Sequence, residues 1–423
     1  MPRSSHDKSM RILVPDAQSF HGGVETVTTK IIQAWTKSEK ASVTWVLPPH
    51  RQKTFRRALG NNSDLEFESF QWASSHPRSW VLSFLRRVSS KLCSKWQTNC
   101  NLSKLRKIIE KHSCTHCFYF WTLGEPYPNL NIPTYCFIHD LAWKVIPESY
   151  SGKDLGKLDA SVIEWVKKSN GTFTNSNQTR SEVLNLVPGL PNKIHTTLLA
   201  ADTHRARIPS PENELPVDES LPFFLYPSAP NPQKNHLTLF QAALKLVERG
   251  LKFRLVLTGG NTQQLLGEKP MACQAPEQAR SFFQERQSKL SGVIIALGMV
   301  SEDTLATLYQ KCISVLMPSE YEGFGLAMAE AFSHGKPVIA SNLPVFREQI
   351  KCYHANDFVE TFQTTDCQAL IDLMEARLQQ GEISVERGEE LRRKADQWTW
   401  DDVAESCIRL MKKPDEPEAI AIH

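Results

Sequence analysis

Glu322 and Glu330 stand eight positions apart in the stretch Pro318-Ser319-Glu320-Tyr321-Glu322-Gly323-Phe324-Gly325-Leu326, which runs on through Gly335-Lys336-Pro337-Val338-Ile339. Two carboxylates so close in sequence invite comparison with a hydrolytic acid–base pair. Eight residues of continuous helix would separate them by about 12 Å, whereas a retaining glycosidase holds its carboxyls roughly 5–5.5 Å apart. The turn at Gly323 shortens that gap, yet the spacing suits two anchors on one long ligand better than a dyad.

The elements that would position them are legible. Val315-Leu316-Met317-Pro318 reads as the end of a buried strand, Gly323 and Gly325 permit a tight turn, and Leu326 to His334 has the composition of a short helix. Gly335 supplies a left-handed cap, and Pro337-Val338-Ile339-Ala340 opens the next strand. Strand, glycine turn, helix and strand make a right-handed crossover of a parallel sheet, with ligands expected at the strand's carboxyl end.

Glu-x7-Glu set in Glu-Gly-Phe-Gly-Leu and followed by Glu-Ala-Phe-x-x-Gly-Lys-Pro-Val-Ile-Ala-Ser resembles the signature of glycosyltransferase family 4. The resemblance implies a retaining, nucleotide-sugar-dependent enzyme of the GT-B fold: α/β, with two Rossmann-like doubly wound parallel sheets facing across a cleft. It assigns Glu322 to the donor sugar and Glu330 to the ribose hydroxyls, with Gly323, Phe324, Gly325 and Leu326 lining the donor.

Other segments extend the likeness. A nucleotide sugar brings a diphosphate whose charge grows as the sugar leaves, and cations or helix N-termini must meet it. Lys234, in Asn231-Pro232-Gln233-Lys234-Asn235-His236, matches the family's phosphate-binding lysine, but the arginine usual a few residues earlier is replaced by Ala229, Pro230 and Asn231. Gly22 and Gly23 match the first domain's glycine loop, where backbone N–H groups approach phosphate or sugar. His139-Asp140-Leu141 is similar to the segment that brings a histidine to the donor sugar and reacting centre and an aspartate to the acceptor side. Ser176-Asn177-Gln178-Thr179-Arg180 and Ala200-Ala201-Asp202 fit the end of the first domain, with Arg180 either a contact to acceptor or phosphate or a helix-surface charge. Gly298 is read as a loop beside the nucleotide base, Tyr309 as core packing, and Arg347-Glu348 as a fold-stabilising pair.

Strands are expected at Arg11 to Pro15, Val43 to Leu47, Cys117 to Trp121 and Tyr135 to Ile138, then again at Phe223 to Tyr226, Phe253 to Leu257 and Val293 to Leu297. Alternation with helices predicts parallel sheets. The Pro-rich, acidic segment Ile208 to Pro216 reads as a linker. The expected division is 1–208 for an acceptor domain and 209–397 for a donor domain, with a helix about 398–413 crossing back to the first and a tail at 414–423.

In a chain of 423 residues, 41% hydrophobic, two independent cores are feasible. No apolar run is long enough to span a bilayer, and Met1 to Met10 lacks the core of a signal peptide, so a cytoplasmic location is expected. The ten cysteines show no framework pattern, and Cys114-x-x-Cys117 has neither a second ligand pair nor the strand-then-helix setting of a redox motif. Net charge is +3, but residues 51–112 hold 13 Lys or Arg against 4 Asp or Glu. Within 78–107, Trp80, Val81, Phe84, Leu85, Val88, Leu92 and Trp96 recur at helical spacing beside Arg86, Arg87, Lys91 and Lys95. That segment is either a core-facing stripe with a solvated basic face or a seat on an anionic membrane, such as the inner face of the plasma membrane.

The expected activity is transfer of a hexose, mannose first and a UDP-linked hexose second, to a hydroxyl of a glycan or lipid-linked acceptor in cell-surface polysaccharide or lipopolysaccharide synthesis. No Asp-x-Asp metal clamp occurs, so neither a metal nor a cofactor is expected, and no nucleic-acid partner. A scaffold or sensor that binds a nucleotide sugar without transferring it is the alternative, favoured by the missing arginine. A dinucleotide oxidoreductase lacks its Gly-x-Gly-x-x-Gly after either first strand.

Overall fold

Two parallel sheets account for all thirteen strands of the computed structural model, which describes residues 10–16, 22–38, 40–60, 62–70, 90–150, 152, 154–201 and 215–412. The first sheet comprises β1 (Arg11–Pro15), β2 (Ser42–Leu47), β3 (Leu65–Ser69), β4 (His116–Tyr119), β5 (Thr134–Ile138), β6 (Gly171–Thr174) and β7 (Ile194–Thr196). The second comprises β8 (Phe223–Pro227), β9 (Arg254–Thr258), β10 (Ile294–Gly298), β11 (Ser314–Met317), β12 (Val338–Ser341) and β13 (Val359–Phe362). Their spatial orders are β3-β2-β1-β4-β5-β6-β7 and β10-β9-β8-β11-β12-β13. This is the GT-B architecture that the sequence resemblance implies.

Both orders reverse direction beside their first strand, between β1 and β4 and between β8 and β11. At such a switch point the loops leaving two neighbouring strands diverge to opposite faces and open a crevice at the carboxyl ends. The central strands are apolar throughout, as burial on both faces requires: β5 (TYCFI) and β11 (SVLM) are buried at every position.

The Trp400–Lys412 helix packs on the Gly23–Lys37 helix of the first sheet rather than on the second. Its buried stripe includes Val403, Ala404, Cys407, Ile408 and Met411. The indole of Trp35, fully buried, donates to the Ala404 carbonyl at 3.0 Å, and the Tyr135 hydroxyl donates to the Met411 carbonyl at 2.9 Å. A buried indole needs such a partner, which makes this contact specific as well as apolar.

Cys114 and Cys117 are buried free thiols, Cys117 within β4, where burial pushes its thiol pKa up. The linker from Ile208 to Glu214, Asp202, the stripe from Trp80 to Val88, the start to Ser9 and the tail from Pro414 lie outside the described residues. Of the basic segment, the Ser90–His112 helix is described; Leu105 is buried and Lys104 lies 5.4 Å from the Phe70 ring centroid.

Candidate active site

The switch point of the second sheet delivers Lys234 and Glu322 to one spot. Lys234 closes a 3-10 turn (Pro232–Lys234) after β8, and Glu322 lies in the loop after β11. The Lys234 Nζ donates to Glu322 Oε1 at 2.6 Å. Ser319 Oγ donates to the same oxygen at 2.8 Å, and Tyr226 OH fixes the lysine backbone by donating to its carbonyl at 2.7 Å. Oε2 accepts from no described residue, so half of the carboxylate is available to a ligand.

The crossover that follows is built as its residues require. Gly325 takes φ 87° at the start of the Leu326–Ser333 helix, and a Cβ there would lie 2.5 Å from the Phe346 ring, so both backbone and packing demand glycine. Gly335 takes φ 67° at its end. Glu330 projects from this helix, and Oε2 accepts from the Tyr309 hydroxyl at 2.6 Å. Tyr309 is 1% exposed and stacks on His334 at 5.0 Å between centroids. It is therefore a core residue, as expected, that also aims the Glu330 carboxylate.

Gly323 is one of the points at which the first domain touches the second. A Cβ on it would lie 2.1 Å from the His139 carbonyl oxygen and 3.1 Å from Asp140 Cβ. Its own carbonyl accepts from Ser176 Oγ at 2.7 Å. The same seam holds Tyr321, whose hydroxyl donates to Glu182 Oε2 at 2.7 Å and accepts from the Leu141 amide at 3.0 Å. Gln349 Nε2 donates to the Phe324 carbonyl. Gly22 and Gly23 arrive from β1, with a Cβ on Gly23 3.7 Å from Leu326 Cδ1. The start of the Gly23–Lys37 helix thus lies against the start of the Leu326–Ser333 helix across the domains.

His139 and Asp140 follow β5. The Phe120 carbonyl accepts from His139 Nε2 at 2.8 Å, and since a carbonyl only accepts, that nitrogen carries the proton and Nδ1 presents a lone pair. Burial outweighs this bond and holds the imidazole down to about 4, so it is neutral near pH 7. Asp140 Oδ1 accepts from the Ala142 amide at 3.1 Å. Its pKa is raised chiefly by burial; the Ala142 amide opposes this, the Glu322 charge adds to it and the Lys234 charge opposes it. His139, Asp140, Glu322 and Lys234 therefore share one neighbourhood.

One reading of the sequence needs correction. Arg347 and Glu348 do not pair with each other: Arg347 donates to the Asn342 carbonyl and side chain at 3.0 and 2.7 Å. Glu348 instead crosses the seam to accept from Asn177 Nδ2 at 2.6 Å and from its backbone N–H. Arg180, open in the sequence between a ligand contact and a helix-surface charge, is half-buried on its helix, and its guanidinium donates to the Ile194 and Pro191 carbonyls at 2.9 and 3.2 Å. Sequence reasoning passed over Ser319, Tyr226, Tyr321 and Glu182. Ser319 alone had a local signal, a hydroxyl three residues before Glu322 in the same turn.

Comparison with known proteins agrees with the second domain in particular. Residues 209–398 match the family described as Glycosyl transferases group 1. O-antigen chain mannosyltransferase B of Escherichia coli is 30% identical over 221 residues, 50% of this chain and 54% of that relative. The chain thus aligns with about half the length of that curated relative. A glycosyltransferase from Rickettsia africae superposes with a TM-score of 0.66 over 97% of this chain and 99% of its own, at 15% identity. Anabaena Alr3699/HepE in complex with UDP and glucose superposes with a TM-score of 0.66 over 95% and 99%, at 14% identity. At such identities the likeness concerns the fold. No helix among the described residues is long and apolar enough to cross a membrane.

Proposed function

We propose that this chain, whose residues 209–398 belong to the group 1 glycosyl transferases, moves a hexose from a nucleoside diphosphate sugar to an acceptor hydroxyl with retention at the anomeric carbon. The observation that carries the reading is the pairing of Lys234 with Glu322 at the second sheet's switch point, one crossover away from a Glu330 carboxylate held by Tyr309. A cation for the diphosphate, a carboxylate with one open oxygen for the sugar and a second, oriented carboxylate for the ribose follow the length of one extended donor.

The Lys234 ammonium, held by Glu322 in the structure, supplies the positive charge that meets the leaving diphosphate. In place of the missing arginine, the His236–Glu248 helix offers its N-terminal amides, since its cap residue Asn235 makes no side-chain cap bond. Gly22 and Gly23 bring further backbone N–H groups from the first domain. His139, neutral and protonated at Nε2, accepts a hydrogen bond from a sugar hydroxyl at Nδ1. The acceptor hydroxyl, received on the Asp140 side, attacks the face from which the diphosphate departs. Its proton passes to the departing phosphate oxygen, so no enzyme carboxylate forms a covalent bond and no metal is required.

Mannose from GDP-mannose is the first donor to test, supported by the mannosyltransferase relative and by His139-Asp140-Leu141; UDP-glucose is the second, supported by the fold likeness to a UDP-bound protein. The acceptor class is a growing cell-surface glycan or its lipid-linked precursor. Nucleoside diphosphate release should be measured for a panel of sugar donors with and without such acceptors. Acceptor-dependent release from at least one donor supports the reading; binding of donors with no release from any favours a scaffold or sensor.

A further inference from the structure

Lys234 is claimed by two anions. In the structure it is held by Glu322 at 2.6 Å, with side-chain exposures of 18% and 10%, so solvent screens the pair only partly. The proposed donor brings a diphosphate to the same ammonium. A carboxylate that occupies the lysine and a phosphate that requires it compete, and something in the ligand must draw the carboxylate away. Ser319 marks the hinge of that choice, because its hydroxyl bonds the same Oε1 and so remains a partner if the lysine departs.

We propose that Glu322 is a displacement switch that distinguishes a loaded nucleoside diphosphate sugar from the spent nucleoside diphosphate, and thereby drives product release; this rests on the proposed function in that Lys234 is taken to meet the diphosphate. A loaded donor offers sugar hydroxyls to Oε2, the oxygen that accepts from no described residue. These hydroxyls satisfy the carboxylate and free Lys234 for phosphate. Once the sugar has been transferred, Glu322 has no hydroxyl partner and recaptures the lysine. The spent nucleotide also carries a terminal phosphate with an additional charge near neutral pH, since its second ionisation lies near 6. It therefore meets both a neutralised lysine and a repelling carboxylate, with Asp140 in the same neighbourhood. No bond to the protein forms or breaks in this cycle; one hydrogen-bond partner is exchanged for another.

The test is calorimetric binding of UDP and GDP, and of the matching nucleotide sugars, to the wild-type chain and to Glu322→Gln and Glu322→Ala. Folding is checked by thermal melting. The bare diphosphate that binds the wild type should bind both variants at least about tenfold more tightly, the scale of one lost charge-assisted competitor, while the nucleotide sugar gains nothing. In a Lys234→Met background the same substitutions should produce no tightening, because the competitor acts only through that lysine. Unchanged or weaker diphosphate affinity in the variants, or tightening that persists without Lys234, would overturn the switch while leaving the transferase reading intact. Failure of both diphosphates to bind any of the proteins would overturn the phosphate reading of Lys234, and the switch with it.

Discussion

Gly323→Ala tests whether the seam between the domains assembles the site. A methyl group at this position would start 2.1 Å from the His139 carbonyl oxygen and 3.1 Å from Asp140 Cβ. A relaxed carbon–oxygen contact is about 3.3 Å or longer, so the two backbones must part by about 1 Å. The oxygen belongs to the main chain at the end of β5 and no rotamer can move it. The parting also stretches the 2.7 Å bond from Ser176 Oγ to the Gly323 carbonyl, worth about 1 kcal/mol, on top of an overpacking cost of about 1–3 kcal/mol. The cost falls on closure and not on either core, because the clash is between domains. A displacement of about 1 Å at a reacting centre can lower the rate about 100-fold, so kcat/KM should fall by that order while the melting temperature changes little. Gly23→Ala is the control: its Cβ would meet Leu326 Cδ1 at 3.7 Å, an ordinary contact. Its melting curve should match the wild type, and any loss of donor affinity in it reports close approach of the ligand to the loop. A Gly323→Ala enzyme within about threefold of wild-type kcat/KM would refute the view that the seam positions the chemistry.

Tyr309→Phe removes the hydroxyl that aims Glu330; a charge-assisted hydrogen bond of about 1.5–3 kcal/mol predicts roughly tenfold weaker nucleotide binding. A 2′,3′-dideoxy nucleotide should be indifferent to the substitution, and equal weakening of both would assign Tyr309 to folding instead. Glu330→Ala should weaken donor binding with the same ribose dependence, and an unchanged donor affinity would refute the ribose role. Burial holds His236 down to about 3 and His139 down to about 4, so between those values and about 6.5 the unfolded chain binds protons that the folded chain does not. Stability is then complete above about pH 6.5 and is lost as pH falls through that window, by up to a few kcal/mol per histidine; a urea midpoint that does not fall from pH 7 to pH 4.5 would contradict this. Activity should survive exhaustive chelation, and a loss restored by a divalent cation would show that Lys234 and helix amides do not suffice for the diphosphate.

The crossover was legible because every signal in it is local. Val315 to Pro318, the two glycines and Leu326 to His334 predicted strand, turn and helix, and the structure places β11 at Ser314–Met317 and the helix at Leu326–Ser333. Short, less apolar strands were not anticipated: β3 (LEFES) alternates with charge, and β7 spans only three residues, too few for a period to register. The end of β4 was misplaced, since Phe120 and Trp121 continue the apolar run of Phe118-Tyr119 but leave the sheet at the switch point. Glu348 lies 171 positions from Asn177, and Tyr321 139 from Glu182. Nothing within a window of sequence marks such partners, because they are chosen by how two domains meet. The pairing of Lys234 with Glu322 was hidden for a different reason: both belong to the second domain, but they follow different strands 88 positions apart and were singled out separately for different parts of the donor.

Transfer of the sugar and retention at its anomeric centre are both read from one spectrum. Proton NMR of the first product formed from the active sugar donor and its acceptor should show a new glycosidic linkage with the anomeric configuration of the donor. An inverted configuration, or free sugar in place of a linkage, would contradict same-face attack at the site formed by Lys234, Glu322 and His139.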